Sequence, residues 1–223
     1  MRESRAVAQR KTKRRRGLFL TFEGIEGAGK STQATRAAEW LASRGHAVLA
    51  TREPGGTRLG KELRQVLLHS EGALDPGSEL LLMVADRRQH VVESIEPALE
   101  KGTIVVCDRF TDASRAYQGA GRGLGEAFVD RLHRSFAIPS PDRTYLFDCP
   151  VALALSRLAG RAGGPDRFER ERLAFHRRVR SSYLSRARKE PRRFLVLDAS
   201  RSSDVVFQRM TKDLEALLER RAV

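Results

Sequence analysis

Eight consecutive residues, Gly24-Ile25-Glu26-Gly27-Ala28-Gly29-Lys30-Ser31, carry the spacing G-x-x-x-x-G-K-S of a Walker A phosphate-binding loop. Each residue type has a distinct task. Gly24, Gly27 and Gly29 open backbone dihedrals closed to other residues and let N–H groups approach phosphate oxygens. Those N–H groups open a helix, where unpaired donors and the positive end of the macrodipole both favour an anion. Lys30 adds a point charge for the β and γ phosphates, and the Ser31 hydroxyl is placed to hold magnesium. Only seven lysines stand against thirty-five arginines, so composition alone rarely puts lysine here. The loop specifies a bound nucleotide without specifying a reaction.

The loop needs a strand before it and a helix after it, and both are legible. An apolar run, Leu18 to Phe22, precedes it, and helical periodicity runs from about Ser31 to Arg44, where Gly45 ends it. A second strand, Ala47 to Thr51, enters the turn-rich Arg52-Glu53-Pro54-Gly55-Gly56. Helices are expected near Leu59 to His69 and from about Ser78 to Glu100. The run Thr103 to Cys107 is apolar throughout, as in a strand buried on both faces of a parallel sheet, and it ends in Asp108-Arg109. Further strands fit Thr144 to Asp148 and Phe194 to Asp198, separated by the arginine-rich stretch 151–190. A last helix spans about Ser203 to Arg220. This alternation predicts an α/β fold with a doubly wound, five-stranded parallel sheet flanked by helices. Ligands in such sheets bind at the carboxyl ends of the strands, which lines up the loop, Arg52-Glu53, Asp108-Arg109 and Asp148.

Composition narrows the class. The chain has 223 residues, 40% hydrophobic and 31% charged, enough for one globular domain with a substantial core. No apolar run approaches the roughly 20 residues that span a bilayer, so no membrane association and a cytoplasmic location are expected. Of the formal charge of +14, half lies in residues 1–16, where eight basic residues face one acid. This segment is expected to be a disordered basic extension, with the remaining domain over 17–223. It invites a nucleic-acid-binding ATPase as a rival reading, but the rest of the chain offers neither aromatic platform nor basic stripe, so nucleic acid is not an expected partner. Cys107 and Cys149, in apolar runs without a Cys-x-x-Cys pattern, read as buried thiols of a reducing compartment.

The loop serves many reactions, and the other charges choose among them. There is no Asn-Lys-x-Asp guanine motif. Arginines instead cluster at strand ends and on the long helix, which suits an acceptor that is itself a phosphate. A phosphate monoester is largely dianionic near neutral pH, its second pKa being about 6, so a strong general base is unnecessary. The difficulty is bringing two anions together, and arginine's planar, permanently charged fork answers it.

The chain resembles the bacterial thymidylate kinases from about Leu18 to its last helix. The matching motifs are Phe22 to Gln33, Thr51 to Thr57, Ala85-Asp86-Arg87, Asp108-Arg109 and Ala116-Tyr117-Gln118-Gly119. The resemblance implies the architecture of a P-loop nucleoside monophosphate kinase, transfer of the γ-phosphoryl of ATP to dTMP with magnesium, and a homodimer. ATP would lie on Gly24, Ile25, Glu26, Gly27, Ala28, Gly29, Lys30, Ser31 and Thr32, with the metal near Ser31 and Asp108. The implied dTMP contacts are Glu26 near the 3′-hydroxyl, Arg109 and Arg52 on the phosphate, Glu53 and Pro54 in the adjoining loop, and Met83, Arg87, Ser114 and Gln118 at the base. Tyr117 would lie beneath the sugar as a gate against a 2′-hydroxyl, with packing between helices as the alternative. The family typically has phenylalanine where Met83 stands, and a thioether also packs on a ring. Another P-loop small-molecule kinase remains the nearest rival. Some members place an arginine at the position of Gly27; those lacking it supply one from a mobile lid. Here the lid would be about 157–168, with Arg161 the first choice for the catalytic arginine and Arg157 the second, near Arg167 and three glycines.

Overall fold

The computed structural model describes residues 16–70, 72–159 and 166–222. Five parallel strands form one sheet: β1 (Phe19–Glu23), β2 (Val48–Arg52), β3 (Ile104–Asp108), β4 (Arg143–Asp148) and β5 (Phe194–Asp198), in spatial order β2-β3-β1-β4-β5. The strand order reverses at β1. Its neighbours β3 and β4 lead away in opposite directions, and the crevice this opens at the carboxyl end lies where the phosphate loop leaves β1.

Alternation along the central strands sorts side chains between two layers. Leu20 and Phe22 of β1, with Ile104 and Val106 of β3, belong to the larger core, which also takes in the helices α1 (Lys30–Ser43), α8 (Leu173–Lys189) and α9 (Ser203–Ala222). Phe19, Val105 and Cys107 face the other way, onto Val91, Ile95, Leu99 and Phe110. Both cysteines are buried and free.

Between β2 and β3 run α2 (Arg58–His69), α3 (Pro76–His90) and α4 (Glu96–Glu100). The expected single helix over 78–100 is interrupted by a π-helical turn at Val91–Ile95. Pro97 has no N–H for the Glu93 carbonyl, and its ring crowds that carbonyl, so the backbone widens there. Asp75 caps α3 by accepting the Ser78 N–H at 3.0 Å.

After β3, α5 (Thr111–Ser114) passes into a π-helical segment, Arg115–Gly121, in place of an ordinary short helix. Then follow α6 (Glu126–Ser135) and, beyond β4, α7 (Val151–Leu158). Sequence periodicity did not isolate α6, α7 or α8. In α8 the buried Phe175, Val179, Tyr183 and Ala187 recur every four residues, but the six arginines and lysines of the same helix mask the stripe. Arg16, assigned by charge to the tail, is tied down: Nη1 lies 3.1 Å from Asp142 Oδ2, and its carbonyl accepts from Arg221 at 2.7 Å.

Candidate active site

The loop after β1 brings main-chain N–H groups to the start of α1. Gly24, Gly27 and Gly29 have φ values of 142°, 74° and 85°. A Cβ at Gly27 would stand 2.0 Å from the Ala154 carbonyl of α7, and one at Gly24 would stand 2.4 Å from the Phe147 carbonyl of β4. Helix α7 therefore leaves no room for a side chain at Gly27. Lys30 crosses the loop, Nζ donating to Ile25 O at 2.6 Å. Burial and the neighbouring Arg109 lower its pKa to about 8, against the opposing pull of Glu26 and Asp108. Ser31 Oγ donates to Asp108 Oδ2, while Asp108 Oδ1 is buried without a hydrogen-bond partner. A hydroxyl beside a carboxylate with a free oxygen is the hard-oxygen donor set that magnesium takes, so these two residues fit that ion.

Beside the loop opens a cavity lined by Glu26, Lys30, Arg52, Glu53, Pro54, Arg64, Met83, Arg87, Arg109, Ser114, Tyr117 and Gln118, among others. Twelve positions separated by up to 92 residues in sequence thus share one space, all of them expected from the sequence except Arg64. Arg64 lies on α2, Nη1 donating to Pro54 O at 2.9 Å, and burial together with the nearby Arg52 and Arg109 lowers its pKa. Its neighbour in the cavity, Leu68, is four residues on, so the helical spacing was the available signal. The guanidinium groups of Arg52, Arg64 and Arg109, converging with Arg87 on one cavity, suit a doubly charged oxyanion.

Arg109 joins the two sites. It follows β3 in a left-handed conformation, φ 71°. Its N–H bonds Phe22 O at 3.0 Å and Nη2 reaches Glu26 Oε1 at 2.8 Å. Glu23, buried at the end of β1, accepts the next N–H, that of Phe110, at 2.7 Å and the Tyr183 hydroxyl at 2.7 Å. Burial and Asp112 raise Glu23 to about 7. Burial opposes ionisation of Glu26, but Arg109 and Lys30 outweigh it and hold the carboxyl below its usual range. Glu26 Oε2 is left without a hydrogen-bond partner.

At the far end of the cavity, Met83 and Arg87 share a face of α3, as their spacing required. Arg87 is buried and bonded to Glu53. Gln118 donates to Glu79 at 2.7 Å; Glu79, fully buried and absent from the sequence-based set, also pairs with Arg122 at 3.2 Å and Arg167 at 2.6 Å. Tyr117 lines the cavity and packs edge-on against Phe168 and Phe175, the packing weighed for it in the sequence. The Glu53–Pro54 peptide is cis. Asp148 pairs with Arg180 at 2.6 Å. Arg157, at the end of α7, donates to Ala199 O at 2.9 Å and does not line the cavity. Arg161 lies outside the described residues.

A Walker A loop at the switch point of a parallel sheet, opening onto an arginine-lined cavity, defines the P-loop phosphotransferase class. The family model for thymidylate kinase matches residues 22–210. Among curated proteins, thymidylate kinase of Bordetella petrii is 50% identical over 206 residues, 92% of this chain and 98% of that one. That of Cupriavidus metallidurans is 53% identical over 192 residues, 86% and 94% of the two chains. A crystal structure of thymidylate kinase from Ehrlichia chaffeensis superposes with a TM-score of 0.73 at 35% identity, covering 89% of this chain and 98% of that one. The chain belongs to the thymidylate kinase family.

Proposed function

We propose that this chain transfers the γ-phosphoryl of ATP to dTMP, giving dTDP and ADP, with the residue roles that follow. The observation that carries the reading is the Arg109–Glu26 pair, which fixes the acceptor cavity against the phosphate loop. Arg109, Arg52 and Arg64 clamp the acceptor phosphate. One of its oxygens attacks the γ-phosphorus in line, a new P–O bond forms, and the bond to the β–γ bridging oxygen breaks as ADP leaves. The acceptor is already a dianion, so no proton need be removed; the protein's work is positioning two anions and excluding water. Lys30 and the loop N–H groups hold the donor phosphates. Ser31 and Asp108 would hold magnesium, which would supply charge neutralisation on those phosphates. The free Glu26 oxygen accepts from the sugar 3′-hydroxyl, Met83 packs on the base, and Tyr117 blocks a 2′-hydroxyl. Completing the charge on the transferred group is assigned to Arg161, with Arg157, which donates to Ala199 O, as the second choice.

An ADP-release assay with ATP and dTMP, dUMP, dCMP or AMP tests the substrate. The highest kcat/KM is expected with dTMP; equal or better use of another acceptor defeats the reading. A homodimer is the second element. The layer of α2, α3 and α6 leaves Leu59, Val66, Leu81 and Phe128 exposed, an apolar surface suited to a second copy. Leu81→Glu should convert a dimer to a monomer in light scattering; an unchanged mass would place the interface elsewhere.

A further inference from the structure

Arg87 is the most completely bonded cation in the cavity. Its Nε donates to Glu53 Oε2 at 2.6 Å, Nη1 to Ser114 Oγ at 2.9 Å and to His133 Nε2 at 2.8 Å, and Nη2 to Phe110 O at 3.0 Å. A guanidinium has five N–H groups in one plane and accepts nothing. Four are engaged. Because the group is planar, fixing four directions fixes the fifth, an Nη2 N–H on a residue that lines the cavity beside Met83, Ser114 and Gln118.

We propose that His133, on α6, is a positioning residue for acceptor-base selectivity: by accepting from Arg87 Nη1 it sets which N–H faces the cavity and keeps that N–H aimed at a ring carbonyl. This rests on the reading that Met83, Arg87 and Gln118 hold the base. Arginine can only donate, so His133 Nε2 must present a lone pair, with the ring proton on Nδ1. Burial and the adjacent Arg87 charge push its pKa down to about 2, which keeps the ring neutral, and the Arg87 donor selects the tautomer. With a proton on Nε2, two donors would face each other and the guanidinium would rotate.

The opposite edge is held by a second histidine. His90 Nδ1 lies 2.9 Å from Glu53 Oε1, and its Nε2 lies 2.8 Å from Thr51 Oγ1. The carboxylate can only accept, so Nδ1 donates and the Thr51 hydroxyl closes the chain. Arg87 thus sits between an anion anchored through β2 and a neutral acceptor from α6. The single N–H left over meets a 4-carbonyl, as in thymine or uracil, with a hydrogen bond. It meets the 4-amino group of cytosine with another donor, and leaving a buried donor unmatched is the stronger form of discrimination.

The test compares His133→Leu, which removes the acceptor, with His133→Gln, whose amide oxygen replaces it, measuring kcat and KM with dTMP and dCMP. His133→Leu should raise the dTMP KM about tenfold and lower the dTMP-to-dCMP ratio of kcat/KM by a similar factor, with kcat and the ATP KM within about threefold. His133→Gln should restore most of the ratio. An unchanged ratio in His133→Leu, or a Gln variant as impaired as the Leu variant, overturns the proposal. Nitrogen-15 NMR of the histidines in the unmutated protein gives a check independent of folding: the His133 resonances must report the Nδ1–H tautomer at pH 7, and an Nε2–H form or a cation there also overturns it. Should the unmutated enzyme itself show no preference for dTMP over dCMP, the substrate reading fails instead, and the two failures are told apart.

Discussion

The phosphate loop offers its ligand main-chain N–H groups, fixed by three glycines at positive φ and by carbonyls of α7 and β4 packed against Gly27 and Gly24. The arginine-lined cavity offers side-chain charges drawn from β2, α2, α3 and the segment after β3, with Arg87 held largely by other side chains, Arg109 by Glu26 and a main-chain carbonyl, and Arg64 by a main-chain carbonyl. The first is a local device with almost no freedom, because a few dihedrals determine it. The second is a distributed device whose geometry depends on buried ion pairs such as Arg87–Glu53 and Arg109–Glu26. Backbone recognition suits a triphosphate that every such enzyme shares; side-chain recognition can be tuned to one acceptor.

Four experiments bear on this contrast. The largest effect is expected from Gly27→Ala, because the new Cβ meets a backbone carbonyl that cannot rotate away and the φ of 74° strains any L side chain. Turnover should fall by about 100-fold or more, in the range seen when one oxyanion donor is lost, while dTMP affinity measured by calorimetry stays within a few-fold. A matching loss of dTMP binding would show the two devices to be one. Arg64→Ala should act in the opposite sense, raising the dTMP KM about tenfold with little change in the ATP KM, as expected for loss of a charged hydrogen bond of about 1.5 kcal/mol. An effect confined to ATP would move Arg64 to the donor side.

The smallest effect concerns pH. Lys30 should lose its proton near pH 8 in the free enzyme, so kcat/KM for ATP falls as pH rises through that value. Lys30→Arg should shift this limb upward; a limb unmoved in the variant belongs to another group. Glu23 gives the stability counterpart. Its folded pKa of about 7 exceeds the model-compound value of 4.5, so the folded state holds the extra proton between them. The stability it contributes is fully present below pH 4.5 and is lost as pH rises through 7. Glu23→Gln should flatten the fall in Tm over that window, and an unaltered slope would refute the assignment.

The sequence by itself determined the elements whose signals are local. The glycine and lysine spacing gave the loop, the apolar run 103–107 gave a strand buried on both faces, and the four-residue step from Met83 to Arg87 put both on one side of α3. Cavity-lining residues at or just past strand ends, such as Arg52 and Arg109, were legible for the same reason: a parallel sheet delivers such positions to one edge. Tertiary structure alone decided what those residues face. That α7 blocks Gly27, that Arg64 turns into the cavity, that Glu79 gathers Gln118, Arg122 and Arg167, and that His133 meets Arg87 are contacts between elements far apart in the chain. With thirty-five arginines present, charge alone could not choose among them. A backbone motif repeats its geometry wherever its dihedrals repeat, whereas a buried side chain takes its role from whichever partners the packing brings within hydrogen-bond reach.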